Sequence, residues 1–136
     1  MEERTMSSVP GVSSARWKLA GFLAGAAALN YADRAALSSV LPAVRADFAL
    51  TDVQLGLLGS VFLWSYALGS PFAGWLADRQ SRARLVLWSI VAWSLVTAAM
   101  GLANGFVSLL FLRFALGVAE CFFLPAAIAL LSERHG

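Results

Sequence analysis

The 136-residue sequence predicts an all-α membrane protein built on four transmembrane helices. Three observations lead there. Hydrophobic residues make up 60% of the chain and charged residues 13%, with a mean hydropathy of +0.74, a balance soluble domains rarely approach. Four apolar runs are each long enough to cross a bilayer, which takes about 20 residues in helical form. Lysine and arginine fall between those runs almost entirely on one side of the implied membrane.

Met1–Lys18 is polar, small and mixed in charge, and is expected to be a disordered cytoplasmic leader. The apolar run after Arg16 and Lys18 imitates a signal peptide, but no cleavage site is evident and further spans follow, so it is a retained first span. Expected spans are Leu19–Ala43, Val53–Ala77, Leu85–Ala103 and Phe106–Leu131, together a partial transmembrane bundle over 19–136. Trp17, Trp75 and Trp88 fall toward span ends, as interfacial anchors do. With the N-terminus inside, Arg4, Arg16, Lys18, Arg79, Arg82, Arg84 and Arg134 are cytoplasmic and Arg45 alone is outside. Seven against one predicts a cytoplasmic N-terminus in a multi-pass protein of the cell membrane.

Gly21 and Gly25 in span one, and Gly56, Gly59, Gly69 and Gly74 in span two, are expected to permit close helix contact. Pro71 and Pro125 are expected to kink spans two and four, because each removes a backbone donor. Span three has no ionisable residue and reads as a peripheral, lipid-facing element. A net charge of +2, scattered along the chain, excludes nucleic acid as a partner. The single cysteine, Cys121, sits in an apolar run and forms no disulfide framework. The chain carries no enzyme signature: its one histidine, His135, is terminal, no metal-ligand spacing occurs, and no cofactor is implied.

The charges inside the membrane are the informative feature. An Asp or Arg at a helix centre costs about 2.5–3.5 kcal/mol of insertion energy, against about −0.3 to −0.6 for each strongly apolar residue. Span one holds Asp33 and Arg34 at mid-depth, so it needs partners. The two cannot serve each other, since helix neighbours point about 100° apart. Span four offers Arg113 and Glu120, which two helical turns bring onto one face about 10 Å apart. The four charges sum to zero, as in a structural ion-pair network; yet intramembrane ionisable groups are functional candidates by default. Burial favours the neutral form of a carboxyl group and a guanidinium favours the ionised form. If Asp33 and Glu120 take protons, two positive charges remain and attract a small anion. Proton and anion binding are then linked, as a symporter requires. Tyr31 lies one turn before Arg34; it suits a substrate bearing a carboxylate and hydroxyls, and serves equally well as a packing residue.

The loop GWLADRQSRARL, Gly74 to Leu85, resembles the signature loop of the major facilitator superfamily. Gly74, Leu76, Ala77, Asp78, Arg79 and Arg82 match its pattern; Ser81 replaces a glycine and Ala83 a basic residue. The resemblance implies a gating role for Gly74, Asp78, Arg79 and Arg82, as a latch against the opposite half of the protein. NYADR in span one and RFALGVAECFFLPA in span four are most similar to the anion:cation symporter branch, with spinster-like lipid transporters second. Carried over by position, this implies proton coupling at Asp33 and Glu120, anion contact at Arg34 with Tyr31 assisting, and tuning of both acids by Arg113. It also implies a twelve-helix fold in two six-helix halves, of which these helices form part of the N-terminal bundle. On that reading the chain is a truncated portion that does not transport alone, and its partners are a small organic anion, a proton, the bilayer and the missing C-terminal helices. Two other readings stay open: a small four-helix transporter that dimerises, and a membrane protein without transport activity whose charges only lock its helices together.

Overall fold

Apolar runs of this length satisfy their backbone groups inside lipid as helices, since no water is there to accept them. The structure, a computed structural model, describes residues 10–135, with side chains described over 14–133. Five helices follow in order: α1 Pro10–Phe48, α2 Asp52–Arg79, α3 Arg82–Met100, α4 Phe106–Cys121 and α5 Phe123–His135. No strand occurs among the described residues.

α1 begins nine residues before the expected span and ends five after it. Half of the expected leader, residues 1–9, lies outside the described residues; the other half, 10–18, is the start of α1 rather than disordered chain. α1 is closed just past Phe48 by Ala49, whose φ of 49° is left-handed, and Leu50 donates its N–H back to the Arg45 carbonyl at 3.1 Å. That is a Schellman closure, made here by alanine instead of glycine. Buried Leu50 packs near Val44 and Phe48, the apolar contact that accompanies such a turn. α2 opens on a capping box: the Gln54 N–H donates to Thr51 Oγ1 at 3.3 Å, and the Thr51 N–H donates to Gln54 Oε1 at 2.9 Å.

α2 runs without interruption through Pro71. Span four is divided: α4 stops at Cys121, whose carbonyl would take its bond from residue 125, and Pro125 has no N–H to give. Among the described residues, three stretches are long and apolar enough to cross a membrane: Asp52–Arg79, Arg82–Met100 and Phe106–Glu133. The expected first span is not among them; it lies in the long α1, where Asn30, Asp33 and Arg34 interrupt the apolar run.

Three apolar clusters hold the bundle together. Leu23 and Ala26 of α1 pack with Ala77, Val86, Phe123, Ala126, Ala127 and Leu130. Phe62 of α2 and Trp93 of α3 pack with Leu116 and Ala119 of α4. Leu50, Leu58 and Leu109 close the other end. α2 and α4 approach closely at Gly117, where a β-carbon would lie 2.6 Å from the Phe62 carbonyl oxygen and collide with Ser65 Oγ. Of the glycines expected at helix contacts, Gly69 faces the Cys121 thiol, whereas Gly21, Gly25, Gly56, Gly59 and Gly74 have no neighbour within 4 Å of such a carbon. α3 keeps an exposed apolar face at Leu87, Trp88, Val91 and Leu95, as expected of a peripheral span, and buries Val86, Ser89 and Trp93 on the other, where Ser89 donates to the Ala119 carbonyl at 2.7 Å.

Candidate functional site

Each intramembrane charge found in the sequence sits on a helix face turned toward another helix. On α4, Arg113 and Glu120 are almost wholly buried, at 4% and 1% exposure. On α1, Asn30 is buried and Asp33 and Arg34 are half-buried, while Tyr31 is exposed. Arg34 donates from Nε at 3.1 Å and Nη2 at 2.9 Å, both to Glu120 Oε2. The pair joins α1 to α4 through charge-assisted bonds, with Glu120 fully buried and Arg34 partly exposed.

The other two charges are held differently. Asp33 Oδ2 accepts a hydrogen bond from the Trp93 indole N–H of α3. Arg113 makes no ion pair among the described residues, and its Nη2 is buried without a hydrogen-bond partner. Its guanidinium carbon lies 5.6 Å from the centre of the Phe62 ring, and that of Arg34 lies 5.1 Å from the same ring. Arg34 also lies over Tyr66 at 4.8 Å and Tyr31 at 5.7 Å. Two cations therefore share one aromatic ring, an attraction worth about 0.5–2 kcal/mol each. A cavity of about 20 Å³ opens beside the ion pair, lined by Asn30, Tyr31, Arg34, Tyr66 and Glu120. It admits one water-sized group, far less than the roughly 300 Å³ or more of a complete small-molecule pocket.

The expected tuning of both acids by Arg113 finds no direct bond here: Glu120 takes Arg34 as its partner, and Asp33 takes Trp93. Phe62, Tyr66 and Trp93 were missed from the sequence. Trp93 carried a signal, because a tryptophan deep in a span, away from the interfacial belt, needs a partner for its N–H.

The loop residues gather at the far end of the bundle. Asp78, Gln80, Ser81 and Arg82 line a polar cleft with Ser132 and Glu133. Arg82 Nη1 donates to Glu133 Oε2 and to the Ala129 carbonyl, both at 3.2 Å, tying the start of α3 to the end of α5. Arg79 stacks over Trp75 at 4.2 Å. Gly74 is half-buried on α2, with open space beside it.

Apolar helices of spanning length around a shielded charge cluster define a multi-pass helical membrane protein with a built polar site. The sequence pattern of the Major Facilitator Superfamily matches residues 23–135, and the chain belongs to that family. It is 37% identical over 120 residues to a protein of Escherichia coli named as a probable galactarate/D-glucarate transporter, covering 84% of this chain and 27% of that protein. It is 39% identical over 104 residues to a cis,cis-muconate transport protein of Acinetobacter baylyi, covering 76% and 25%. It is 40% identical over 99 residues to a hexuronate transporter of Bacillus subtilis, covering 73% and 23%. The chain thus spans about a quarter of the length of the relatives it matches. No solved structure matches it.

Proposed function

We propose that this chain forms the anion- and proton-handling wall of a secondary transporter for small organic acids, working as a proton-coupled symporter. The observation that carries the reading is Arg113: a buried guanidinium with an unpartnered nitrogen, beside Phe62 and one ring away from the Arg34–Glu120 pair. Glu120, the acid whose charge reaches Arg113, is already bonded to Arg34; a buried cation with no hydrogen-bonded counter-ion of its own is costly, and an organic carboxylate would supply one. A lock between helices accounts for Arg34 and Glu120 but not for Arg113. The relatives' names, covering sugar diacids, hexuronates and muconate, share one chemistry, a small carboxylate.

In this scheme Glu120 and Asp33 exchange protons while Arg34 and Arg113 hold the anion, with Tyr31 at the mouth. The N-terminus lies in the cytoplasm, and Asp78, Arg79 and Arg82 act as a gate at that face. A chimera in which this chain replaces the matching segment of the E. coli relative tests the proposal. Radiolabelled D-glucarate uptake, abolished by a protonophore and by Arg113→Gln, is the expected result. Uptake indifferent to the protonophore would remove proton coupling; uptake indifferent to Arg113→Gln would remove the anion role.

A further inference from the structure

Two carboxylates and two guanidiniums meet in this site, yet only one ion pair forms among them. Asp33 stands one residue before Arg34, the partner of Glu120, and its carboxylate is bonded to an indole of a third helix. An indole donates one N–H and accepts nothing, so the bond runs in one direction, from Trp93 to Asp33. The donor is fixed in place. Trp93 is 5% exposed, is packed with Phe62, Leu116 and Ala119, and meets Phe123 edge-on at 6.2 Å. Its neighbours thus come from α2, α4 and α5, and one of them is the ring beneath both arginines.

We propose that Trp93 is a positioning residue: its indole holds the Asp33 carboxylate at the α1–α3 contact and so keeps that negative charge away from the face of Arg34 that an organic anion needs. Arg34 has five N–H donors and gives only Nε and Nη2 to Glu120, so donors remain for an incoming carboxylate. Without the indole, Asp33 is free to change rotamer. A mobile carboxylate beside Glu120 and Arg34 repels the anion and competes for the same donors.

The consequence for transport rests on the function proposed above; the contact itself does not. The full chain, labelled with ¹⁵N-tryptophan and placed in lipid nanodiscs, gives one indole N–H resonance for each of its five tryptophans. Trp93→Phe identifies its signal by loss. Asp33→Asn and Asp33→Leu are expected to move that signal and leave the other four nearly in place. In the chimera, counterflow exchange reads the KM for D-glucarate without net proton movement. Trp93→Phe is expected to raise KM about tenfold or more with kcat little changed, the scale of one charge-assisted bond. In an Asp33→Asn background the same substitution is expected to leave KM unchanged. An equal rise in both backgrounds marks Trp93 as packing alone and overturns the inference. A Trp93 resonance indifferent to Asp33 overturns it too, whatever the chimera does. A chimera that exchanges no glucarate counts instead against the transport reading.

Discussion

Arg34 reaches Glu120 with two nitrogens, and both end on one carboxylate oxygen, Oε2, while Oε1 is buried with no hydrogen bond inside 3.5 Å and the Asn30 side chain is near enough to act on Glu120. The pair is therefore less than fully satisfied and open to exchange. Glu120→Gln keeps the shape and removes the charge. In the chimera, uptake is expected to lose its sensitivity to a protonophore while anion exchange persists. Arg34→Lys replaces a planar fork with a point charge. A drop of about tenfold or more in kcat/KM is expected, the scale of one charge-assisted hydrogen bond.

Phe62 serves both guanidiniums at once. Phe62→Leu keeps the apolar volume close but removes the ring, and each cation loses about 0.5–2 kcal/mol of attraction. KM for D-glucarate is expected to rise, while Phe62→Tyr keeps it near its starting value. Equal KM values for the leucine and tyrosine variants would show that the ring plays no part.

Gly117 allows α2 and α4 to meet backbone to backbone. Gly117→Ala forces the Phe62 carbonyl away, an overpacking that costs about 1–3 kcal/mol. Thermal unfolding in detergent should fall accordingly, and Gly59→Ala, which faces open space, should cause little change. Similar losses for both would show that the close contact at Gly117 does not govern, since alanine is the better helix former at either site.

Ala49 holds a left-handed conformation that costs an L-residue about 1–2 kcal/mol. Ala49→Gly relieves it and is expected to raise stability by about 0.5–1 kcal/mol, net of the added chain entropy. Ala49→Val is expected to lower it. Both follow from chemical or thermal unfolding of the chain in detergent.

The charged residues were legible one at a time, because an Asp or Arg inside an apolar run signals itself without knowledge of any neighbour. The divided fourth span was foreshadowed in the same way by Pro125, a local fact about one missing donor. Pairing was not legible. Spacing places Arg113 and Glu120 on one face, but which acid meets which base depends on how α1 lies against α4, and Glu120 takes Arg34. Gly117 was passed over because a glycine matters only through what stands opposite, here the Phe62 carbonyl. α3 looked peripheral because it lacks charge; its contribution is an indole N–H, a neutral donor that composition does not flag. The extent of α1 beyond the apolar run was hidden too, since polar residues continue a helix as readily as they end one.

The interruption at Phe122 gives the fourth span two rigid arms joined by an elbow. Glu120 belongs to the first arm, gripped by Arg34; Glu133 belongs to the second, gripped by Arg82. Bending at the elbow can swing the loop-side grip while the first arm keeps its hold, so the two ends of the same span need not let go together.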